Sequence, residues 1–216
     1  MSAHHSDRTL GEGSNLQDRI TFPTLGDCPH LGALDEVRYD ARGRICRHWC
    51  FLAEIIRVVT FSRVVFEVKD MTGREEARIA CYDNDAGRRF LNTTRPPRAG
   101  DTIAVLYPQL KVFLDGSIGF RVENNAHIMI IPHRIDTLLS ANDALWGARP
   151  SICCATGCQN TGNLRTCARC HLVRYCGREH QSDHWPSHRE ACKATSALQV
   201  FTNKDWTTYT DEFTFP

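Results

Sequence analysis

The chain has 216 residues, of which 42% are hydrophobic and 24% are charged, and its formal net charge is +1. This balance is typical of a folded protein of one or two domains, and it argues against a polybasic nucleic-acid binder and an acidic disordered chain. No apolar run reaches the length of about eighteen residues that a transmembrane helix needs, so we expect no membrane partner.

The N-terminal residues 1–27 are rich in Ser, Gly, Asp and Arg and show no periodicity, which predicts a mobile tail. They contain no hydrophobic signal segment, so we expect an intracellular protein, cytoplasmic or nuclear. Eleven cysteines in a reducing compartment indicate a use other than disulfide bonds.

Residues 28–134 are dominated by β-strand patterns. Alternating or β-branched runs predict strands at 64–69, 77–82, 102–107, 111–114, 117–122 and 127–131, with a short helix or turn at 83–91. Asp115-Gly116 is a strong hairpin turn between two of these strands. The next segment, 135–150, predicts a short helix over 135–146 and then a linker containing Gly147 and Pro150.

The order of these elements resembles an OB-fold, which is a small, mainly β barrel. The resemblance rests on the turn KDMTG, the helix-like link and the strand GDTIAVL. Another small barrel or sandwich is the alternative. An OB-like barrel could bind single-stranded nucleic acid on an aromatic and basic face. The candidates for that face are Phe66, Tyr82, Arg63, Lys69, Arg74 and Arg78.

Candidate metal ligands crowd the segment 151–193, which holds seven of the eleven cysteines. They form four pairs with two or three residues between the members: Cys154 and Cys158, Cys167 and Cys170, Cys176 and His180, His188 and Cys192. Zinc binds four thiolate or imidazole ligands tetrahedrally, so eight ligands predict two closed structural sites. A closed site leaves no position for a reactive water.

Two ligand positions have competing neighbours. His184 lies four residues from both His180 and His188, so either neighbour could share its helix face. Pro186 disfavours helix in the preceding residue, which predicts two short helices and places His188 with Cys192 on the second. Cys153 competes with Cys154, and we predict Cys154.

The ligand order, together with the run YC-x3-HQ-x3-WP-x-H-x3-C, resembles the MYND zinc finger. The resemblance implies a small α+β, cross-braced finger that holds two Zn²⁺, in which the first pair joins the third and the second joins the fourth. It also implies a protein-interaction module that commonly binds proline-containing peptides. The Gln and Trp of the motif, here Gln181 and Trp185, would line the peptide groove.

These features predict a non-enzymatic zinc-binding adaptor, with the finger binding a proline-containing segment of a partner protein and the barrel supplying a second docking surface. The alternative is single-stranded nucleic-acid binding by the barrel while the finger recruits a regulatory partner. The near-neutral charge favours protein. No SET-like segment, P-loop, G-x-S-x-G or H-E-x-x-H motif is present.

A scattered group of Cys and His residues precedes and begins the barrel: Cys28, His30, Cys46, His48 and Cys50. Their spacing matches no zinc pattern, and buried cysteines are the simpler interpretation.

The C-terminal residues 194–216 form an aromatic tail that ends in FTFP. This ending resembles the F-x-F-P docking motif of mitogen-activated kinase substrates, which would leave the tail free. We favour a tail that folds back, because water-exposed aromatics lose roughly 1.5–3 kcal/mol each relative to buried ones. The spacing of Trp206, Tyr209 and Phe213 fits a helix face or an extended strip. We expect the barrel and the finger to have separate cores.

Overall fold

The computed structural model describes residues 10–33 and 35–216. In these ranges the chain forms nine β-strands, three α-helices and two short 3-10 helices. The strands are β1 (Cys50–Val59), β2 (Val65–Asp70), β3 (Glu76–Cys81), β4 (Thr102–Leu106), β5 (Leu110–Val112), β6 (Ile118–Val122), β7 (Ile128–Ile131), β8 (Arg165–Thr166) and β9 (Arg174–Tyr175). The α-helices are α1 (Ile135–Trp146), α2 (Arg178–Ala197) and α3 (Gln199–Thr202), and the 3-10 helices span Arg88–Phe90 and Asn125–His127.

The first seven strands form one sheet in the order β5-β6-β3-β2-β1-β4-β7. Neighbours are antiparallel except β3 and β6, which are parallel. The sheet closes into a barrel because β4 pairs with β1 while its continuation β5 pairs with β6. Tyr107 lies in the bend between β4 and β5, with a positive φ of 52°. The barrel is OB-like, as the sequence predicts.

Side-chain alternation builds the barrel core. In β2, Phe66 and Val68 are buried while Glu67 and Lys69 point outward. β4 differs, because all five of its residues are buried. Its odd-numbered residues contribute to the barrel core, and its other face is covered by a second apolar layer.

This second layer joins the finger to the barrel. It packs the outer side of β1 and β4 against α1, the C-terminal end of α2, α3, and both terminal segments. Its buried members include Phe22, Leu52, Leu138, Leu198, Phe201, Trp206 and Phe215. The finger also has a small cluster of its own around Leu164 and Tyr175. The expectation of separate cores is therefore wrong, because α2 starts in the finger and ends in the layer shared with the barrel.

The described part of the N-terminal segment is packed rather than mobile. Residues 10–27 form no helix or strand, yet Leu16, Phe22 and Leu25 are buried. The Leu16 N–H donates to Asn142 Oδ1 on α1 at 3.0 Å, and the Phe22 ring meets the Trp206 ring at 5.1 Å. The prediction of a mobile tail is corrected for these residues, and residues 1–9 lie outside the described part of the chain.

The C-terminal tail folds back, as the sequence analysis favours. Trp206 is fully buried and its backbone N–H donates to the Glu12 carbonyl, while the Phe215 N–H donates to the Ala126 carbonyl. The segment beyond α3 contains turns and bends but no helix or strand, so the helical one of the two expected forms is wrong. The described parts of both terminal segments thus cover the same side of the barrel.

Candidate metal centre

One group of ligand-type side chains gathers Cys153, Cys158, Cys176 and His180, with all ligand atoms within 4.8 Å of one another. Cys176 follows β9 and His180 lies in the first turn of α2. Cys153 Sγ is 3.5 Å from His180 Nδ1, and Cys158 Sγ is 3.9 Å from Cys176 Sγ. The first and third ligand pairs of the sequence therefore meet at one point.

The structure places Cys153 in this group, in place of the predicted Cys154. The Cys154 N–H donates to the Arg174 carbonyl at 2.9 Å, and the Cys154 Sγ lies 3.9 Å from the Ile152 carbonyl oxygen. The hydrogen bond to Arg174 holds Cys154 against β9. Because adjacent side chains on extended backbone project to opposite sides, Cys153 points away from Cys154 and into the ligand group. Gly157, with a φ of 77°, then turns the chain so that Cys158 returns toward Cys153.

The surroundings of Cys153 favour its thiolate. Burial opposes ionisation, but the backbone N–H groups of Ala155 and Cys176 and the His180 ring outweigh it, so the pKa of Cys153 is lowered to about 6. A thiolate is the form in which cysteine binds a metal ion.

The second group gathers Cys167, Cys170, His188 and Cys192, all buried. Cys167 follows β8 directly, and His188 and Cys192 lie one turn apart on α2. Cys167 Sγ is 3.9 Å from Cys192 Sγ, and Cys170 Sγ is 3.5 Å from His188 Nε2. The second and fourth pairs therefore meet, and the two groups interleave along the chain in the cross-braced manner that the sequence resemblance implies.

The spacing of the donor atoms suits tetrahedral zinc. With Zn–S near 2.3 Å and Zn–N near 2.1 Å, tetrahedral geometry separates two sulfurs by about 3.8 Å and a sulfur from a nitrogen by about 3.6 Å. Each group has a sulfur–sulfur distance of 3.9 Å and a sulfur–nitrogen distance of 3.5 Å, and in the first group Cys176 Sγ lies closer to His180 Nδ1, at 3.0 Å. Three thiolates and one imidazole per group are the donors of a closed structural site.

The helix that carries three of these residues, His180, His188 and Cys192, is continuous. α2 runs from Arg178 to Ala197 with Pro186 in its interior, so the prediction of two short helices is wrong. His180 belongs to the first ligand group and precedes Pro186, while His188 and Cys192 belong to the second and follow it. These contacts on both sides of Pro186 offset the loss of the helix hydrogen bond that proline cannot make. His184 remains outside the groups because its Nδ1 lies 2.9 Å from the Tyr175 hydroxyl.

Comparison with protein families matches residues 153–192 to the MYND finger. The match starts at Cys153 and ends at Cys192, which are the outermost members of the two groups. Residues 153–192 are a MYND finger.

A curated protein is similar to a short stretch of the chain. The chain is 31% identical over 83 residues to histone-lysine N-methyltransferase ASHR1 of Arabidopsis thaliana. The matched region covers 32% of this chain and 17% of that protein. The chain thus spans about a sixth of that relative's length.

Three solved structures are among those similar to part of the chain. A chain of the S. pombe Stn1–Ten1 complex is 13% identical, and the match covers 41% of this chain and 61% of that chain with a TM-score of 0.30. A chain of a replication protein A heterotrimer bound to ssDNA is 15% identical, and the match covers 48% of this chain and 70% of that chain with a TM-score of 0.28. Schizosaccharomyces pombe Pot1pC bound to ssDNA is 12% identical, and the match covers 52% of this chain and 100% of that chain with a TM-score of 0.32.

The residues predicted to bind a peptide lie side by side on the MYND finger. Gln181 and Trp185 are four residues apart on α2 and share one face of the helix. Trp185 is 38% exposed and meets the His188 ring edge-on at 6.0 Å, so it does not fill the core of the finger. A flat aromatic surface is therefore presented next to the second ligand group.

The residues predicted for nucleic-acid binding by the barrel are mostly occupied elsewhere. Phe66 is fully buried in the core, which corrects its assignment to a binding face. The Tyr82 ring lies 3.6 Å from the Arg63 guanidinium carbon and 4.2 Å from that of Arg121. Lys69 pairs with Glu76, Arg78 pairs with Asp115 and Glu67, and Arg74 lies exposed in the turn after β2.

The scattered N-terminal Cys and His residues form no ligand group. In the described part of the chain only the two groups of the MYND finger bring three or more ligand-type residues together. Cys28 and Cys50 are buried, and burial raises the pKa of both thiols. Among the described residues, no helix is long and apolar enough to cross a bilayer.

Proposed function

We propose that the chain is a non-enzymatic adaptor whose MYND finger binds two zinc ions. One ion is held by Cys153, Cys158, Cys176 and His180, and the other by Cys167, Cys170, His188 and Cys192. The distances between donor atoms support this assignment, and four ligands per ion leave no open position for substrate. Each structural zinc contributes roughly 10–16 kcal/mol, which supplies the folding energy that the small apolar cluster of the finger lacks.

The binding surface of the adaptor is the face of α2 that carries Gln181 and Trp185. The observation that supports this role is the exposure of Trp185, a large aromatic side chain that the folded finger leaves 38% open to water. A proline-containing segment of a partner protein is already extended, and its rings pack on an aromatic plate at little entropic cost. The neighbouring Gln181 amide can donate to and accept from the peptide backbone.

We propose that the adaptor acts inside the cell. None of the eleven cysteines is in a disulfide bond, although Cys167 and Cys192 lie close together. Cysteines in this number without disulfide bonds are typical of reducing compartments.

An array of proline-containing peptides, tested with the full-length chain, identifies ligands whose affinity is then measured by fluorescence anisotropy. Trp185→Ala and the Gln181→Ala/Trp185→Ala double variant are expected to lose binding while keeping two zinc ions. Trp146→Ala is the matched control, because Trp146 is 39% exposed on α1 and lies outside the finger. Equal binding by the Trp185→Ala variant and the wild type would overturn the proposal.

A further inference from the structure

A groove of about 600 Å³ crosses the outer face of β2 and β3. Its walls come from the turn between β1 and β2, residues 60–64, and from the hairpin between β5 and β6 around Asp115. Its floor includes Val65, Ala80 and Tyr82. All of these residues belong to the barrel, so the groove is separate from the peptide face of the MYND finger.

The rim of the groove is apolar. Of the lining residues, Leu114 is fully exposed and Val112 is 66% exposed. On the opposite side, Phe61 is 98% exposed next to the lining residue Ser62. Isolated exposed apolar residues are ordinary, but large ones grouped around a concave surface mark interaction sites. The groove therefore offers apolar contacts on both sides.

Two cations in the groove have no acidic partner among the described residues. Arg63 donates to the Cys81 carbonyl at 3.3 Å, and Lys111 lies over the Phe113 ring at 5.3 Å. The remaining cations are paired: Arg78 with Asp115 and Glu67, and Arg121 with Glu123 at 2.7 Å. The unpaired positive charge is thus limited to two side chains and lies beside the apolar rim.

The same contacts disfavour single-stranded nucleic acid. Base binding needs free aromatic faces and a continuous basic track. The ring of Tyr82 is already covered by two guanidinium groups, and the carboxylates of Glu67 and Asp115 line the same groove, where they repel phosphates. A ligand with a few negative charges and large apolar side chains matches the groove better.

We propose that this groove binds an acidic, apolar peptide segment of a partner protein. Carboxylates of the segment pair with Arg63 and Lys111, and its apolar side chains pack between Phe61 and Leu114. The proposal rests on the proposed adaptor function, and it specifies the chemistry of the second docking surface. Charge complementarity sets the choice of partner, and the apolar rim supplies most of the contact area.

The test titrates the full-length chain with a short fluorescein-labelled peptide composed of Asp, Glu, Leu and Phe. We expect saturable binding that the Asn/Gln version of the peptide does not reproduce. Arg63→Glu/Lys111→Glu should weaken binding by roughly tenfold or more. Phe61→Ser/Leu114→Ser should also weaken it, and these side chains are too exposed for their loss to affect folding. Arg98→Glu, an exposed charge reversal outside the groove, should bind like the wild type.

Three results would overturn the proposal: no binding of the acidic peptide, equal binding of its Asn/Gln version, or tighter binding of a labelled oligo-dT that the groove variants abolish. The outcome is separable from that of the MYND finger. Gln181→Ala/Trp185→Ala should leave acidic-peptide binding unchanged, and the groove variants should leave proline-peptide binding unchanged.

Discussion

Trp206 is the residue whose loss should most clearly reveal the shared apolar layer. Its side chain is fully buried among the rings of Phe22, Phe201 and Phe213, at centroid distances of 5.1, 6.2 and 5.4 Å. Its indole N–H donates to the Phe201 carbonyl at 2.9 Å. Trp206→Ala would leave a cavity between the barrel, α3 and both terminal segments, and would remove this hydrogen bond.

The expected loss follows from the burial. Replacing a buried Phe or Trp by Ala costs about 3–5 kcal/mol. For a chain of this length, each kcal/mol lowers Tm by about 2–4 °C. Trp206→Ala should therefore lower Tm by about 6–20 °C, measured by circular dichroism in zinc-containing buffer. Trp146→Ala is the matched control, because its 39% exposed side chain should cost much less.

The result that refutes this reasoning is equal melting of the Trp206→Ala and Trp146→Ala variants. It would mean that the C-terminal strip does not contribute to the stability of the barrel. A free tail with an available F-x-F-P motif would then be the better description.

Three further predictions concern titration, metal removal and the proline in α2. Burial lowers the pKa of His48 to about 4, so the folded state keeps it neutral while the unfolded chain takes up a proton near pH 6.5. The contribution of His48 to the free energy of unfolding should be complete above about pH 6.5 and should be lost as the pH falls toward 4. Between these pH values Tm should therefore fall less steeply for His48→Phe than for the wild type. An equal slope for both proteins would contradict the lowered pKa of His48. A zinc chelator should reduce the helical circular dichroism and also shift tryptophan fluorescence to the red, because α2 ends in the apolar layer around Trp206. Loss of the helix signal with unchanged fluorescence would show that this layer is independent of the finger. Pro186→Ala should raise Tm, since interior proline costs up to about 3 kcal/mol in a helix, while zinc content stays the same; a lower Tm would mean that the helix needs the proline.

Six of the seven barrel strands, β2 to β7, and α1 could be predicted because their signals are local, whereas no strand was predicted at β1. Asp115-Gly116 marks the β5–β6 hairpin in the sequence itself, and α1 spans the predicted residues 135–146. The packing of the N-terminal segment could not be predicted in this way. Leu16 and Phe22 are isolated apolar residues in a polar stretch, and their burial depends on Asn142 and Trp206, which are distant in the chain.

In the candidate metal centre, spacing was sufficient to find the ligand pairs but not to choose between neighbours. Cys153 and Cys154 differ only in the direction of their side chains, which the bond from Cys154 to Arg174 and the turn at Gly157 determine. The glycine next to Cys158 was the available signal for that turn. Pro186 shows the opposite case, in which tertiary contacts on both sides of a residue override a local helix rule.

Native mass spectrometry of the full-length chain tests the central claim most directly, because it counts the zinc ions bound to each folded molecule. Our account predicts two ions for the wild type and for Cys154→Ser, and loss of one ion for Cys153→Ser. His188→Ala should lose an ion while His184→Ala keeps both. One ion in the wild type, or loss of zinc from Cys154→Ser but not from Cys153→Ser, would contradict the account.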